Sequence, residues 1–182
     1  MNESLTEAVV ERFHRTRRYL VERAVPIVAE NEPQFWSDLD VLAIKGDVVL
    51  VNCKDFVSDP RQKEKIAHNL DVAETWVRQN YSDLVTNKPI TKQLVYGGSD
   101  KASIKFLQDK GIKCVHLGEM LAEYLVYLAS NMDSLNEERY SPPKGKRWYR
   151  IGNLTGYDKV FVYLMNQKFL KVTDGQVAKW EG

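Results

Sequence analysis

The chain opens on a run in which apolar positions return every three or four residues. Leu5, Val9, Phe13, Thr16 and Leu20 fall on one stripe, which predicts an amphipathic helix over residues 4–23. Ser4 stands at its start with Glu7 three residues on, the pattern of a capping box. Residues 24–30, AVPIVAE, are short and apolar, but Pro26 suits only an edge or irregular strand. Residues 34–37 read as loop. Two β-rich runs follow, DLDVLAI at 38–44 and VVLVNC at 48–53, joined by Lys45-Gly46-Asp47 as in a hairpin. The second run is apolar throughout until Asn52, which predicts burial on both faces. Asp59-Pro60 then opens a helix that runs to Asn80, with Ile66, Leu70, Ala73 and Val77 on one face. Residues 91–96 form a strand ended by Gly97-Gly98. Residues 100–110 form a helix closed by Gly111, residues 112–116 a strand, and residues 118–130 a last helix.

The predicted order is α-β-β-β-α-β-α-β-α. Alternation in the second half implies parallel crossovers, and the first half implies a hairpin or meander, so the fold is α/β with a mixed central sheet flanked by helices. The character changes after about residue 131. SPPKGK at 141–146 is turn-rich, residues 157–166 look helical, and Asp174-Gly175 lies between β-rich runs as in a hairpin. The chain therefore divides into a core over residues 1–130 and a small α/β extension over 131–182. Helix followed by hairpin is similar to the back half of a winged helix, without the helices that would precede it.

Lys and Arg total 26 against 25 Asp and Glu, a net charge of +1, which argues against strongly basic, whole-surface nucleic-acid binding and leaves room for local patches. No apolar run approaches the roughly 20 residues that cross a bilayer. The opening residues lack the apolar core of a signal peptide, so a cytoplasmic protein is expected. Cys53 and Cys114, with His14, His68 and His116 scattered, match no zinc spacing; they read as two buried thiols in a reducing compartment. His14 and His68 read as surface groups. Gly97-Gly98 is too short for a glycine-rich phosphate loop, which counts against a small-molecule-binding α/β protein.

The segment that carries chemistry is SDLDVLAIKGDVVLVNCKDF, residues 37–56. A tight hairpin brings Asp40 on the first strand and Lys54, just past the apolar part of the next, to one rim of the sheet. A carboxylate among apolar neighbours is costly unless partnered. An acid and a lysine so placed suit metal-dependent phosphodiester hydrolysis. The carboxylate holds Mg²⁺ or Mn²⁺, and the lysine acts on the attacking water and the phosphate.

On these residues the sequence resembles the PD-(D/E)xK nuclease superfamily, the restriction-endonuclease-like fold, over residues 4–130. It is nearest in flavour to archaeal Holliday-junction resolvases and Mrr-type endonucleases. Asp40 matches the family's strand acid and Lys54 its lysine, while Asn52 stands where the family has Glu. Some Mrr-type members carry Gln there. The resemblance implies a divalent-metal-dependent endonuclease acting on DNA. Asp40, Asn52 and the Cys53 carbonyl would hold Mg²⁺ or Mn²⁺, Lys54 would act on water and phosphate, and an acid of the first helix would complete the site. Glu11 is the candidate for that acid, with Glu7 behind it. Asn52 offers a carbonyl oxygen but no charge, so Asp38 or Asp55 are further sources of the missing carboxylate. Gln62 lies where several families of this fold place a Gln. Cutting both strands implies a homodimer.

Two basic clusters are candidates for phosphate contact. Arg12, Arg15, Arg17 and Arg18 with His14 sit on the opening helix, where nearby Glu favours a solvated face. Lys144, Lys146, Arg147 and Arg150, interleaved with Trp148 and Tyr149, lie in an acid-free stretch and are the better nucleic-acid-binding candidate. The rival function is a catalytically degenerate nuclease-fold protein with a nucleic-acid-binding or structural role.

Overall fold

The first helix, α1 (Leu5–Thr16), ends well before residue 23. Its carbonyls are closed by backbone: the Tyr19 N–H donates to His14 O at 3.2 Å and the Arg18 N–H to Arg15 O at 3.0 Å. Arg18 takes φ 65°, the left-handed position that glycine usually fills in this motif. The chain then runs straight into β1 (Leu20–Ala29), in which Val21, Val25 and Ile27 are buried and Leu20 and Val28 exposed. Pro26 fits because β1 is an edge strand. Residues 34–37 are strand, not loop: β2 (Glu32–Ile44) pairs with β1 through Val28↔Trp36 and Ile27↔Ser37. Phe35-Trp36 supplies the aromatic β-preference that the polar flanks obscure.

The computed structural model describes residues 4–29, 32–137, 170–173 and 176–179. After β2 come β3 (Val48–Val57), α2 (Pro60–Asn80), a short α3 (Ser82–Val85), β4 (Ile90–Ser99), α4 (Lys101–Asp109), β5 (Lys113–His116) and α5 (Leu117–Glu137). The chain is mixed α/β. Its five-stranded sheet has the order β1-β2-β3-β4-β5, with β1/β2 and β2/β3 antiparallel and β3/β4 and β4/β5 parallel. As the sequence predicts, α2 opens on Asp59, whose carboxylate accepts from Arg61 N at 2.8 Å, with Pro60 in the first turn. Asp100 caps α4 in the same way, accepting from Ser103 N at 2.8 Å, and Gly111 beyond its end takes φ 76°.

Alternation distributes the buried residues to two faces. Leu42, Ile44, Val48, Leu50 and Leu94 form one core cluster with Ile66, Leu70, Ala73 and Val77 of α2 and Leu107 of α4. The intervening Val41, Ala43, Val49, Val51 and Val95 are buried too, and α1, which packs on the sheet, buries Val9, Val10 and Phe13. With both faces covered, Val48–Cys53 is buried throughout, as its unbroken apolar run predicts.

β4 approaches β3 closely at its end. A Cβ added at Gly97 would lie 2.8 Å from the Asp55 carbonyl oxygen, a backbone atom that cannot yield without moving the strand. Gly97→Ala is therefore expected to lower unfolding free energy by about 1–3 kcal/mol in urea titrations; an unchanged midpoint would contradict this packing.

The chain divides into two compact units, Met1–Met120 and Leu121–Gly182. The second contains most of α5 and an antiparallel hairpin, β6 (Leu170–Thr173) and β7 (Gln176–Lys179), on either side of Asp174-Gly175. The linker at 141–146, the helix at 157–166 and the basic cluster Lys144, Lys146, Arg147 and Arg150 lie outside the described residues.

Candidate active site

β2 and β3 pair only from Val41↔Val51 to Ile44↔Val48. Beyond Val41, β2 continues against β1 as far as Trp36 and past it, while β3 continues against β4 to Val57↔Ser99. The two strands thus fork, and one step past the last pair the register sets Asp40 across from Asn52. The fork leaves β3 backbone groups without a strand partner. Asp40 takes one of them: the Cys53 N–H donates to Asp40 Oδ2 at 2.6 Å. Lys54 Nζ stands 3.9 Å from the same oxygen. The hairpin thus joins the two groups that the sequence pairs.

A local kink accompanies the fork. Ala24, which the β1/β2 register sets opposite Asp40, takes φ 48°. That conformation costs a non-glycine residue roughly 1–2 kcal/mol. Strict alternation breaks at the same point, since Leu39 and Leu42, an odd number apart, both join the core cluster.

Asp40 is only 17% exposed. Burial holds its carboxyl above the ordinary range; the Lys54 ammonium and the Cys53 N–H pull it down, and the charges of Glu7 and Asp38 push it up. Burial likewise raises the Cys53 thiol, with the charges of Asp40 and Glu7 adding to it. Asn52 is buried, and its Oδ1 accepts no hydrogen bond, although a buried carbonyl oxygen normally finds a donor.

Of the two acids on α1, Glu7 is the one whose charge acts on Asp40. Glu11 is engaged elsewhere, by Arg15 Nε at 2.6 Å and Arg23 Nη1 at 3.2 Å. Arg23, on β1, also reaches Glu7 with Nη2 at 3.0 Å, so one guanidinium bridges both helix acids. Thr6 Oγ1 donates to Asp55 Oδ1 at 3.1 Å, which holds the start of α1 against the end of β3. Asp55 is thereby occupied, and Asp38 is exposed. Gln62 Nε2 donates to Phe56 O at 3.2 Å, a contact with the end of the lysine-bearing strand. Among the described residues no three His, Cys, Asp or Glu side chains gather into a metal-holding cluster.

Arg23 escapes sequence reading because a helix drawn through residue 23 hides the strand alternation. Placed in β1, it is a charged residue two positions after buried Val21, and such a residue signals a buried partner.

Other expectations change. His14 is not a surface group; only 4% of it is exposed. Cys114 is only partly buried, and both thiols are free. In the first basic cluster Arg15 is bound to Glu11, and Arg17 lies 3.6 Å over the Phe13 ring. No helix among the described residues is long and apolar enough to cross a membrane.

No protein-family model matches the chain, and no curated protein matches it in sequence. Among solved structures, part of the chain is similar to a repair endonuclease from Pyrococcus abyssi, with 15% identity, a TM-score of 0.42, and coverage of 64% of this chain and 47% of that one. EndoMS in apo form gives 11% identity, a TM-score of 0.38, and coverage of 64% and 47%. The EndoMS–dsDNA2 complex gives 14%, 0.35, and coverage of 64% and 46%. The chain spans less than half the length of each of these proteins. At these values the overlap assigns neither a substrate nor a reaction to this chain.

Proposed function

We propose that the chain is a divalent-metal-dependent deoxyribonuclease of the PD-(D/E)xK type, with its site at the fork. The observation that carries this reading is the Asp40 carboxylate, anchored on Cys53 N–H and 3.9 Å from Lys54 Nζ, with the register placing opposite it the buried Asn52, whose Oδ1 is unsatisfied. An unsatisfied carbonyl oxygen on the residue opposite a mostly buried carboxylate fits a cation that prefers oxygen ligands, namely Mg²⁺ or Mn²⁺. Asp40 and Asn52 would hold it, with Glu7, whose charge acts on Asp40, as the further acid and the Cys53 carbonyl as a neutral donor. The bound ion supplies phosphate polarisation and a water acidic enough to attack.

The chain's own residues do the positioning. The Cys53 N–H fixes one Asp40 oxygen, leaving the other free for ligation. Lys54 Nζ is near enough to orient the attacking water and to offset charge on the phosphate as it develops. Thr6 and Arg23 hold α1 so that Glu7 faces Asp40. Cutting both strands of a duplex would call for a homodimer.

With an amide in place of the family's Glu, the ion is held loosely. Asn52→Glu is therefore expected to tighten Mn²⁺ binding by an order of magnitude or more, read by titration calorimetry. Equal affinity in both proteins would remove Asn52 from the site. The same amide favours a second reading, a degenerate nuclease fold that binds nucleic acid without cutting it. Assays on linear, branched and single-stranded DNA with Mn²⁺ separate the two: cleavage supports the enzyme, and binding without cleavage supports the second reading.

A further inference from the structure

We propose that Phe56 is a stacking platform for an unpaired base beside the phosphate held at Lys54, so that the preferred substrate is DNA with an unpaired nucleotide next to the cut. This rests on the nuclease reading above and names its substrate class.

Phe56 is 59% exposed, and among the exposed large apolar residues described it is the aromatic one. The backbone around it is tied on several sides. Phe56 pairs with Gly98 in the β3/β4 ladder, its carbonyl accepts from Gln62 Nε2 at 3.2 Å, and the next carbonyl, Val57 O, accepts from Asp100 N at 3.2 Å. The ring is placed as well. A Cβ on Gly98 would lie 2.8 Å from its Cδ2 and 3.0 Å from its Cε2. The ring therefore lies against a bare Cα, which orients it while most of the residue stays in solvent. This gives the Gly97-Gly98 pair a purpose, since it forms no phosphate loop: Gly98 clears space for the ring.

Position selects the occupant. Phe56 is two residues past Lys54 in the same β3/β4 ladder, which places it about 7 Å further along the strand. That is the reach of one nucleotide from a phosphate at Lys54. Its chain neighbours Asp55, Ser58 and Asp59 are exposed and polar, so among the described residues no exposed apolar run continues from it along the chain. A lone, held aromatic beside a phosphate site matches a single base, whose π-face stacks irrespective of sequence.

The test is fluorescence-anisotropy binding of the full chain, with Ca²⁺ to prevent turnover, to duplexes that are fully paired or carry one unpaired nucleotide. The native protein should prefer the unpaired site. Phe56→Ala should bind that DNA roughly 5- to 100-fold more weakly, leave the paired duplex nearly unchanged, and be rescued by Phe56→Trp. Gly98→Ala, which displaces the ring, should reproduce part of the loss. An abasic residue at the unpaired position should erase the preference of the native protein and change nothing in Phe56→Ala. Equal losses on both duplexes, or none, would overturn the proposal. If Lys54→Ala is inactive while Phe56→Ala keeps the preference, only this inference fails; if the native chain neither binds nor cuts DNA, the nuclease reading fails with it.

Discussion

Replacing Lys54 with alanine, or Asp40 with asparagine, is expected to reduce Mn²⁺-dependent DNA cleavage by about 10²–10⁴-fold while leaving the fold intact. The two substitutions act on different steps. Lys54→Ala removes the only cation within 4.0 Å of Asp40 among the ion pairs described, so the water and the phosphate lose their orienting charge. Asp40→Asn removes the fixed negative charge that holds the ion but keeps an oxygen for the Cys53 N–H. Asparagine is the better probe for that reason. Asp40→Ala would leave the Cys53 N–H without its acceptor, at a cost of about 1–3 kcal/mol, and activity loss would be confounded with unfolding. Lys54 is 35% exposed and its pair is long, so its removal should change stability by less than about 1 kcal/mol. Cleavage rates measured beside urea midpoints separate the two effects. A Lys54→Ala protein that cuts at the native rate would mean that this lysine has no part in the chemistry.

The pairing of Asp40 with Lys54 was legible because a hairpin is a local signal. Lys45-Gly46-Asp47 fixes the turn, alternation fixes the register, and the two residues fall at one end of the same pair of strands. The helix openings at Asp59-Pro60 and Asp100 were legible for a similar reason, since capping chemistry is written in adjacent residues. What was not legible depended on backbone choices that side chains do not announce. Arg18 closes α1 in a conformation usually given to glycine, so the apolar stripe in the sequence runs on through Leu20, whereas Leu20 begins an exposed edge of β1. A helix drawn through residue 23 conceals Arg23 and so the clamp on Glu7 and Glu11. It also makes the choice between those acids a matter of helical wheels, whereas in the structure Arg23 engages both and Arg15 adds a second partner to Glu11. The kink at Ala24 was invisible too. Nothing in AVPIVAE marks one alanine as left-handed; the conformation belongs to the pairing of β1 with β2 across from Asp40.

Acidification from pH 7 to pH 4 is expected to destabilise the chain by about 3 kcal/mol through His14 alone. The residue looked like part of a basic surface, flanked as it is by Arg12, Arg15, Arg17 and Arg18, but it sits in the interior at the end of α1. Neither ring nitrogen has a hydrogen-bond partner, and the Phe13 and Tyr19 rings meet it edge-on with centroids at 5.2 and 5.1 Å. Burial lowers its pKa to about 4 from 6.5; the charges of Arg17 and Lys113 lower it further, and Asp47 opposes them. In the unfolded chain the imidazole takes a proton as pH falls through 6.5, whereas in the folded chain it resists until about 4. Between those values the unfolded state binds more protons, so stability falls with falling pH, and below about 4 the loss levels off because both states are protonated. His14→Leu removes the titration and the two unsatisfied nitrogens together, so its urea midpoint should fall less over the same range. The difference between the two curves isolates this group from the carboxylates, which titrate in both proteins. Parallel curves would mean that the imidazole is hydrated or paired in solution and that its burial against Phe13 and Tyr19 does not persist there.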